Sequence, residues 1–289
     1  VFFFIYYLLF SKLLYEYIFI STSLFFVGYL DDVKIKISPN FRLMLMTVFL
    51  ITFINLLPIE LKHIDLIFLN SWLENKIFSI IFIFLCFLFI INGANLIDGF
   101  NGLLTINLII INSVLLFINL GNDQLEFSFF LSAQIITLLS FLLFNFPKAK
   151  MFLGDSGSYL FGSLISLNII ITNNLNPHIS SFFFCILLFY LFFEVFFSFL
   201  RKLLKERKSP LFPDKKHLHM LVFEIFYKKN KDKIKSNYLV SIAINSIYLV
   251  LTIPAALNMQ NGLFCKYYSI LFFVTYIYFY KTANKKTYY

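Results

Sequence analysis

Charge is scarce in this 289-residue chain. Asp, Glu, Lys and Arg make up 13% of it, while 60% is hydrophobic and 42 residues are Phe. Soluble chains carry about 25% charge. So little charge cannot solvate so much apolar surface, which excludes an ordinary soluble domain and a disordered chain. Cysteine is scarce too. Cys86, Cys185 and Cys265 lie in or at the edge of apolar runs and form no CxxC pair, which excludes a disulfide scaffold and a cysteine-based zinc site. No GxxxxGK[ST] and no GxGxxG occurs, so an ATPase is disfavoured. No basic stripe with interleaved aromatics sits on a soluble module, so no nucleic acid is expected as a partner.

What is present is a series of apolar runs divided by polar punctuation. They cover 1–10, 17–30, 41–57, 77–91, 103–120, 127–146, 159–171, 182–200, 238–257 and 263–280. A span takes about 20 apolar residues. The runs predict an all-α polytopic membrane bundle of nine to ten transmembrane helices, the first of them partial. One integral-membrane domain covers 1–289, with a long basic loop at 201–237 and the last two helices and tail at 238–289. The chain begins at Val1 with no basic n-region, which is not a signal peptide and is expected of a chain whose N-terminus is missing. If the helices alternate, the loops 31–42, 92–102, 147–156 and 201–237 and the tail from Lys281 share one side. Those segments hold 20 of the 24 Lys and Arg, which assigns that side to the cytoplasm. Six of the eight Asp lie there as well, all but Asp65 and Asp123.

Four segments on that side carry candidate chemistry. Asp31 and Asp32 end an apolar run. At a helix C-terminus two carboxylates oppose the macrodipole and each other, so a cation must compensate: Lys34, Lys36 or a metal ion. The bland alternative is a solvated doublet. Asn92, Asn95, Asp98 and Asn101, interleaved with three Gly, supply more oxygen and amide groups than a tight turn needs. Such polar backbone near a membrane belongs in a cavity or against protein. Gly154-Asp155-Ser156 opens another helix, whose N-terminus suits phosphate while Asp155 suits a divalent ion; simple helix capping is the alternative. The basic loop presents Asp214, Lys215, Lys216, His217 and His219. The two His share a face only on extended backbone, and the alternative is a solvated loop. Glu194, the one acidic residue deep in a run, is a functional candidate or pairs with a loop cation. Oxygen ligands favour Mg²⁺, or Mn²⁺. Together these segments point to metal-assisted phosphoryl chemistry at the cytoplasmic interface. The rival classes are a secondary transporter, disfavoured by the one-sided carboxylates and the lack of an internal repeat, and an inactive lipid-binding paralogue.

The segments GYLDD, NGANLIDGFNGL, FPKAKMFLGDSGS and PDKKHLHM, in this order, resemble the polyprenyl-phosphate N-acetylhexosamine-1-phosphate transferases of glycosyltransferase family 4. The resemblance runs from about Gly28 to Met220 and implies transfer of HexNAc-1-phosphate from a UDP-sugar to polyprenyl (undecaprenyl) phosphate, with release of UMP. It implies Mg²⁺ bound by Asp155 with Asn95. It gives catalytic roles to Asp31, Asp32, Asp98, His217 and His219, and substrate contacts to Asn92, Asn95, Asn101, Gly154, Ser156, Asp214, Lys215 and Lys216. The Asp-x-x-His-Leu-His form, with two helices after it, resembles the GlcNAc-type enzymes of cell-envelope polysaccharide synthesis. The alternative branch is the phospho-MurNAc-pentapeptide transferases. Met220 stands where relatives often carry another His, and Glu194 where they usually carry Asp. The implied setting is a bacterial cytoplasmic membrane, with the active site and C-terminus inside and a homodimer as the oligomer to test for. A tag placed after Tyr289 is expected to be labelled only from the cytoplasmic side in intact and permeabilised cells; labelling from outside overturns the alternation.

Overall fold

The computed structural model describes residues 2–11, 14–33, 35, 38–57, 59–207, 209 and 215–288. Within them every apolar run is helical and no strand forms. The helices are α1 (Phe2–Phe10), α2 (Tyr15–Asp32), α3 (Pro39–Leu56), α4 (Ile67–Leu73), α5 (Lys76–Ile97), α6 (Leu103–Gly121), α7 (Leu125–Asn145), α8 (Gly154–Leu175), α9 (Ser181–Leu187), α10 (Phe189–Leu200), α11 (Leu218–Asn230), α12 (Lys233–Leu257) and α13 (Gly262–Tyr288). A π-helical stretch, Arg201–Glu206, continues α10. Local chemistry sets several starts. Ser38 accepts from the Phe41 N–H with Pro39 in the first turn, Asn75 accepts from Ile77 and Phe78, and Asp232 accepts from Lys235.

Among the described residues, six helices are long and apolar enough to cross a bilayer: α3, α5, α6, α7, α12 and α13. The pair α9 and α10, bent by 75°, makes a seventh if it is one broken span. The sequence predicts nine to ten. All of those runs are helices, but α1 has only nine residues, α2 carries Glu16, Asp31 and Asp32, and α8 carries Asp155 and a polar second half. The outward faces stay apolar, with Leu56, Ile77, Phe117, Leu143, Leu257 and Leu263 all exposed, as lipid contact requires.

Because α8 lies inside the bundle, it need not be apolar. Fourteen of its 22 residues are buried, against α2, α5 and α6. Small residues let these helices approach, since lipid gives no hydrophobic drive for helices to associate. A Cβ on Gly28 would lie 2.4 Å from the Asp155 backbone, one on Gly162 2.8 Å from the Ile91 Cα, and one on Gly93 2.0 Å from the Leu191 carbonyl oxygen. Buried amides then pair across the contacts. The Tyr17 hydroxyl donates to Asn168 Oδ1 at 2.7 Å, and Asn168 donates to Asn112 at 3.1 Å and to Gln134 at 2.9 Å.

The axis helix also separates two polar ends. At its C-terminal end Asn173 and Asn174 donate to the carbonyls of His63 and Glu60, while Asp65 accepts from Ser180 and Ser181. At its N-terminal end it meets Asp32 and Asp98, and Phe100 meets His219. Asp31, Asp32 and Arg42, the loops at 92–102 and 147–156, and residues 215–219 therefore share one end, as the alternation predicts. We expect Gly93→Ala to cost about 1–3 kcal/mol through overpacking. Gly121→Ala, where a Cβ meets nothing within 4 Å, is expected to be nearly silent. Thermal unfolding in detergent reads both, and equal midpoints would refute the close-contact argument.

Candidate active site

The site is assembled on the N-terminus of α8. Its first-turn N–H groups have no intrahelical acceptor, and no side chain of the α8 sequence caps them. The cap comes from α2. Asp32 Oδ1 accepts from the Asp155 N–H at 3.0 Å, and its Oδ2 accepts from the Ser156 N–H at 2.9 Å and hydroxyl at 2.6 Å. This answers the electrostatic problem of the doublet in part: Asp32 leaves the negative end of one helix dipole for the positive end of another. Gly154 has φ +68°, and a Cβ there would stand 2.8 Å from the Asp32 carboxylate. Glycine is thus needed for both the left-handed backbone and the close approach.

Asp31 is compensated differently. Arg42, in the first turn of α3, places one nitrogen, Nη1, 2.6 Å from Asp31 Oδ2 and 2.6 Å from Asp155 Oδ2. Among the described residues the compensating cation is Arg42; Lys34 and Lys36, which the sequence reading names beside a metal, lie outside the described residues. The other oxygen of Asp155 accepts from Asn95 Nδ2 at 2.6 Å, and Asn95 also donates to the Ser158 hydroxyl at 3.2 Å. Asp31, Asp155 and Arg42 are 34%, 23% and 26% exposed, open to a water-soluble ligand. Asp98, which caps the end of α5, is buried and accepts from the Gly154 N–H at 2.9 Å. Burial is the main reason its carboxyl is pushed up to about 7. The backbone bonds from Gly154 and Leu153 pull down, and the nearby Asp155 and Asp32 charges add to the rise.

The remaining loop groups divide between site and scaffold. Asn101 Nδ2 donates to the Pro147 carbonyl and its N–H to Asn237; Asn145 receives the Gly102 N–H and donates to Met151. These amides fix the 147–153 loop that delivers Asp155. Asn92 donates back to Leu88 in its own helix. His217 is the extended residue before α11 and His219 lies in its first turn, so their rings stack at 5.6 Å and 7°. Both are buried. His217 Nδ1 meets Glu194 Oε2 at 3.2 Å, and the Leu218 N–H donates to the other Glu194 oxygen at 3.2 Å. His219 Nδ1 faces the Tyr190 hydroxyl at 3.4 Å, its ring packs on Phe100 at 5.1 Å, and burial pulls its pKa down to about 4. Lys216 pairs with Glu206, Lys215 is exposed, and Asp214 lies outside the described residues.

The structure thus brings Asp31, Asp32, Asn95, Asp98, Gly154, Asp155 and Ser156 into one bonded cluster. It docks His217 and His219 on the loop that follows Asp98. Arg42 is the group that sequence reading passes over as a loop cation. It is the only charge in α3, which is the mark of a functional intramembrane residue. Glu194 pairs with the histidine loop through His217, not through a Lys or Arg.

Among the described residues, no three His, Cys, Asp or Glu side chains form a metal-holding group. Two carboxylate oxygens do converge on one cationic atom, with an amide beside them. That donor set suits Mg²⁺, which takes one or two carboxylates and leaves its other positions to water and substrate phosphate.

A sequence model described as "Glycosyl transferase family 4" matches residues 14–173. The chain is 30% identical over 199 residues to an undecaprenyl-phosphate alpha-N-acetylglucosaminyl 1-phosphate transferase of Thermotoga maritima, covering 69% of this chain and 58% of that one. It is 34% identical over 159 residues to a phospho-N-acetylmuramoyl-pentapeptide-transferase of Dictyoglomus turgidum, covering 52% and 51%. A third relative, the enzyme of that name from Leuconostoc mesenteroides, is 41% identical over 92 residues, covering 31% and 29%. The chain thus spans between 29% and 58% of the length of these relatives.

The Asp98 environment makes a prediction of its own. Its folded-state pKa, about 7, stands above the ordinary carboxylate value. The stability that comes from the tighter proton is full at low pH and is lost as pH rises through about 7. Without divalent ions, Asp98→Asn is expected to lose less thermal stability than wild type between pH 5 and pH 8. Asp98→Ala, which leaves the Gly154 N–H unpaired, is expected to be less stable at both. Identical pH slopes for wild type and Asp98→Asn would refute the raised pKa.

Proposed function

Because the chain belongs to glycosyl transferase family 4, we propose that it transfers a HexNAc-1-phosphate, with GlcNAc-1-phosphate the preferred group, from a UDP-sugar to polyprenyl phosphate. The observation that carries this reading is the convergence of Asp31 and Asp155 on one cationic atom at the head of α8, inside the matched segment. A phosphate oxygen of the lipid attacks the β-phosphorus, the bond to the bridging oxygen breaks, and UMP leaves. The reading includes the cytoplasmic face of a bacterial membrane, supported by the Lys and Arg asymmetry of the loops, and an opening step of envelope polysaccharide synthesis.

Each residue has a task its surroundings support. Asp31, partly exposed, positions the acceptor phosphate or takes its proton. Little tuning is needed, because the second pKa of a phosphate monoester is about 6. Asp32 fixes the head of α8 and so the aim of Asp155. Asp155 and Asp31, with Asn95 beside them, would hold Mg²⁺, which when bound neutralises the diphosphate and its developing charge. His217, oriented by Glu194 through Nδ1, faces the sugar-diphosphate with His219 stacked behind it. The GlcNAc preference rests on the Asp-x-x-His-Leu-His motif and on α12 and α13 following it. Resemblance to two phospho-N-acetylmuramoyl-pentapeptide-transferases keeps UDP-MurNAc-pentapeptide as the second donor to test. Family membership leaves the transporter reading without support.

The test is UMP release from UDP-GlcNAc and undecaprenyl phosphate, in the intact protein, with Mg²⁺ and with EDTA. Lipid- and Mg²⁺-dependent UMP is expected. Asp155→Asn is expected to lose about 10²-fold or more in turnover, and His217→Ala to lose turnover severely. Near wild-type rates in Asp155→Asn would refute its role, and UMP only from UDP-MurNAc-pentapeptide would move the chain to the other branch.

A further inference from the structure

We propose that Arg42 is a resident counter-ion of the metal site. It holds Asp31 and Asp155 together while no divalent ion is bound, and a divalent ion must displace it to bind. The inference rests on the reading of Asp155 as a metal ligand and goes beyond it, to what this chain does with the site when metal is absent.

Four carboxylates meet at the head of α8, and the structure accounts for each. Asp32 is saturated by two backbone N–H groups and a hydroxyl, and Asp98 is held by the Gly154 N–H. One Asp155 oxygen holds Asn95. Two of the oxygens that remain, Asp31 Oδ2 and Asp155 Oδ2, are both taken by the same Arg42 nitrogen at 2.6 Å. They are the hard donors a small dication would bridge, and a dication between them would occupy the position of that nitrogen and repel its charge. Like charges at such range repel strongly in a half-buried setting. Without Arg42 the two carboxylates would repel each other, and the contact among α2, α3 and α8 would carry an unscreened cost. Arg42 therefore both assembles the site and weakens its affinity for the metal.

While Arg42 bonds the two carboxylates, its guanidinium carbon also lies 5.9 Å from the centroid of the Tyr159 ring, within cation–π range, and Tyr159 is buried one turn along α8 from Asp155. A guanidinium released beside a bound dication is well placed to take a phosphate oxygen, whose charge it matches in a planar fork.

The experiment is a Mn²⁺ titration of the detergent-purified chain, following free Mn²⁺ by electron paramagnetic resonance, for wild type, Arg42→Gln and Asp155→Asn. Arg42→Gln is expected to bind Mn²⁺ at least about tenfold more tightly than wild type, in line with close charge pairs elsewhere. Asp155→Asn is expected to lose the site. If Asp155→Asn loses binding while Arg42→Gln binds no tighter than wild type, the counter-ion role is overturned and the metal ligand stands. If Asp155→Asn binds as wild type does, the metal-ligand reading itself falls. Should Arg42→Gln not yield a monodisperse protein, Arg42→Met, which keeps an unbranched stem and removes the charge, is titrated instead. Its Kd is expected below the wild-type value, and an unchanged Kd overturns the proposal.

Discussion

The seating of Asp32 on the head of α8 is the interaction on which the site depends. It is a bond between the end of one helix and the start of another, 123 residues apart in the chain. Three hydrogen bonds fix it, and two glycines make room for it: Gly28, which lets the α8 backbone approach α2, and Gly154, whose positive φ turns the chain into α8 beneath the carboxylate. Once Asp32 is seated, its neighbour Asp31 faces Asp155, and the 147–153 loop has only one way to run. The amides of Asn101 and Asn145 then hold that loop by its carbonyls.

From this start, four chemically similar side chains acquire four different environments. Asp32 sits on a helix terminus, Asp98 is buried under a backbone donor, Asp155 lies between an amide and a guanidinium, and Asp31 meets the same guanidinium from the other side. Identity of residue does not set role; the partner does. The same logic applies to the histidines. His217 is oriented by a buried carboxylate, while His219 is sunk behind it against Phe100 and kept neutral.

The helices were legible because lipid enforces them: a chain with so little charge and such long apolar runs has one solvent open to it, though fewer of the runs than expected are long and apolar enough to span it. The gathering of the 31–42, 92–102, 147–156 and histidine loops at one end was legible from the lopsided placement of Lys, Arg and Asp. The break between α9 and α10 at Leu188 was not, since it lies in an apolar run with neither Pro nor Gly to mark it. Nor could sequence separate Asn95, which touches Asp155, from Asn101, which grips a loop carbonyl. Both are Asn in one polar segment, and only the partner tells them apart. Arg42 was hidden for a related reason. A cation at the edge of a span reads as an orientation marker until its carboxylates, one on α2 and one on α8, are seen to converge on it.

The polarity of α8 has a consequence for how the chain enters the membrane. A segment bearing Asp155, Asn168, Thr172, Asn173 and Asn174 partitions poorly into lipid by itself, because each polar group costs free energy there. The partners that satisfy it or enclose it, α2, α5, α6 and α7, all precede it in the chain. Synthesis from the N-terminus therefore builds the socket before the helix that fills it. The carboxylate end is completed late in insertion, when α8 leaves the translocation machinery for a cleft already lined with Tyr17, Asn112 and Gln134 rather than for lipid.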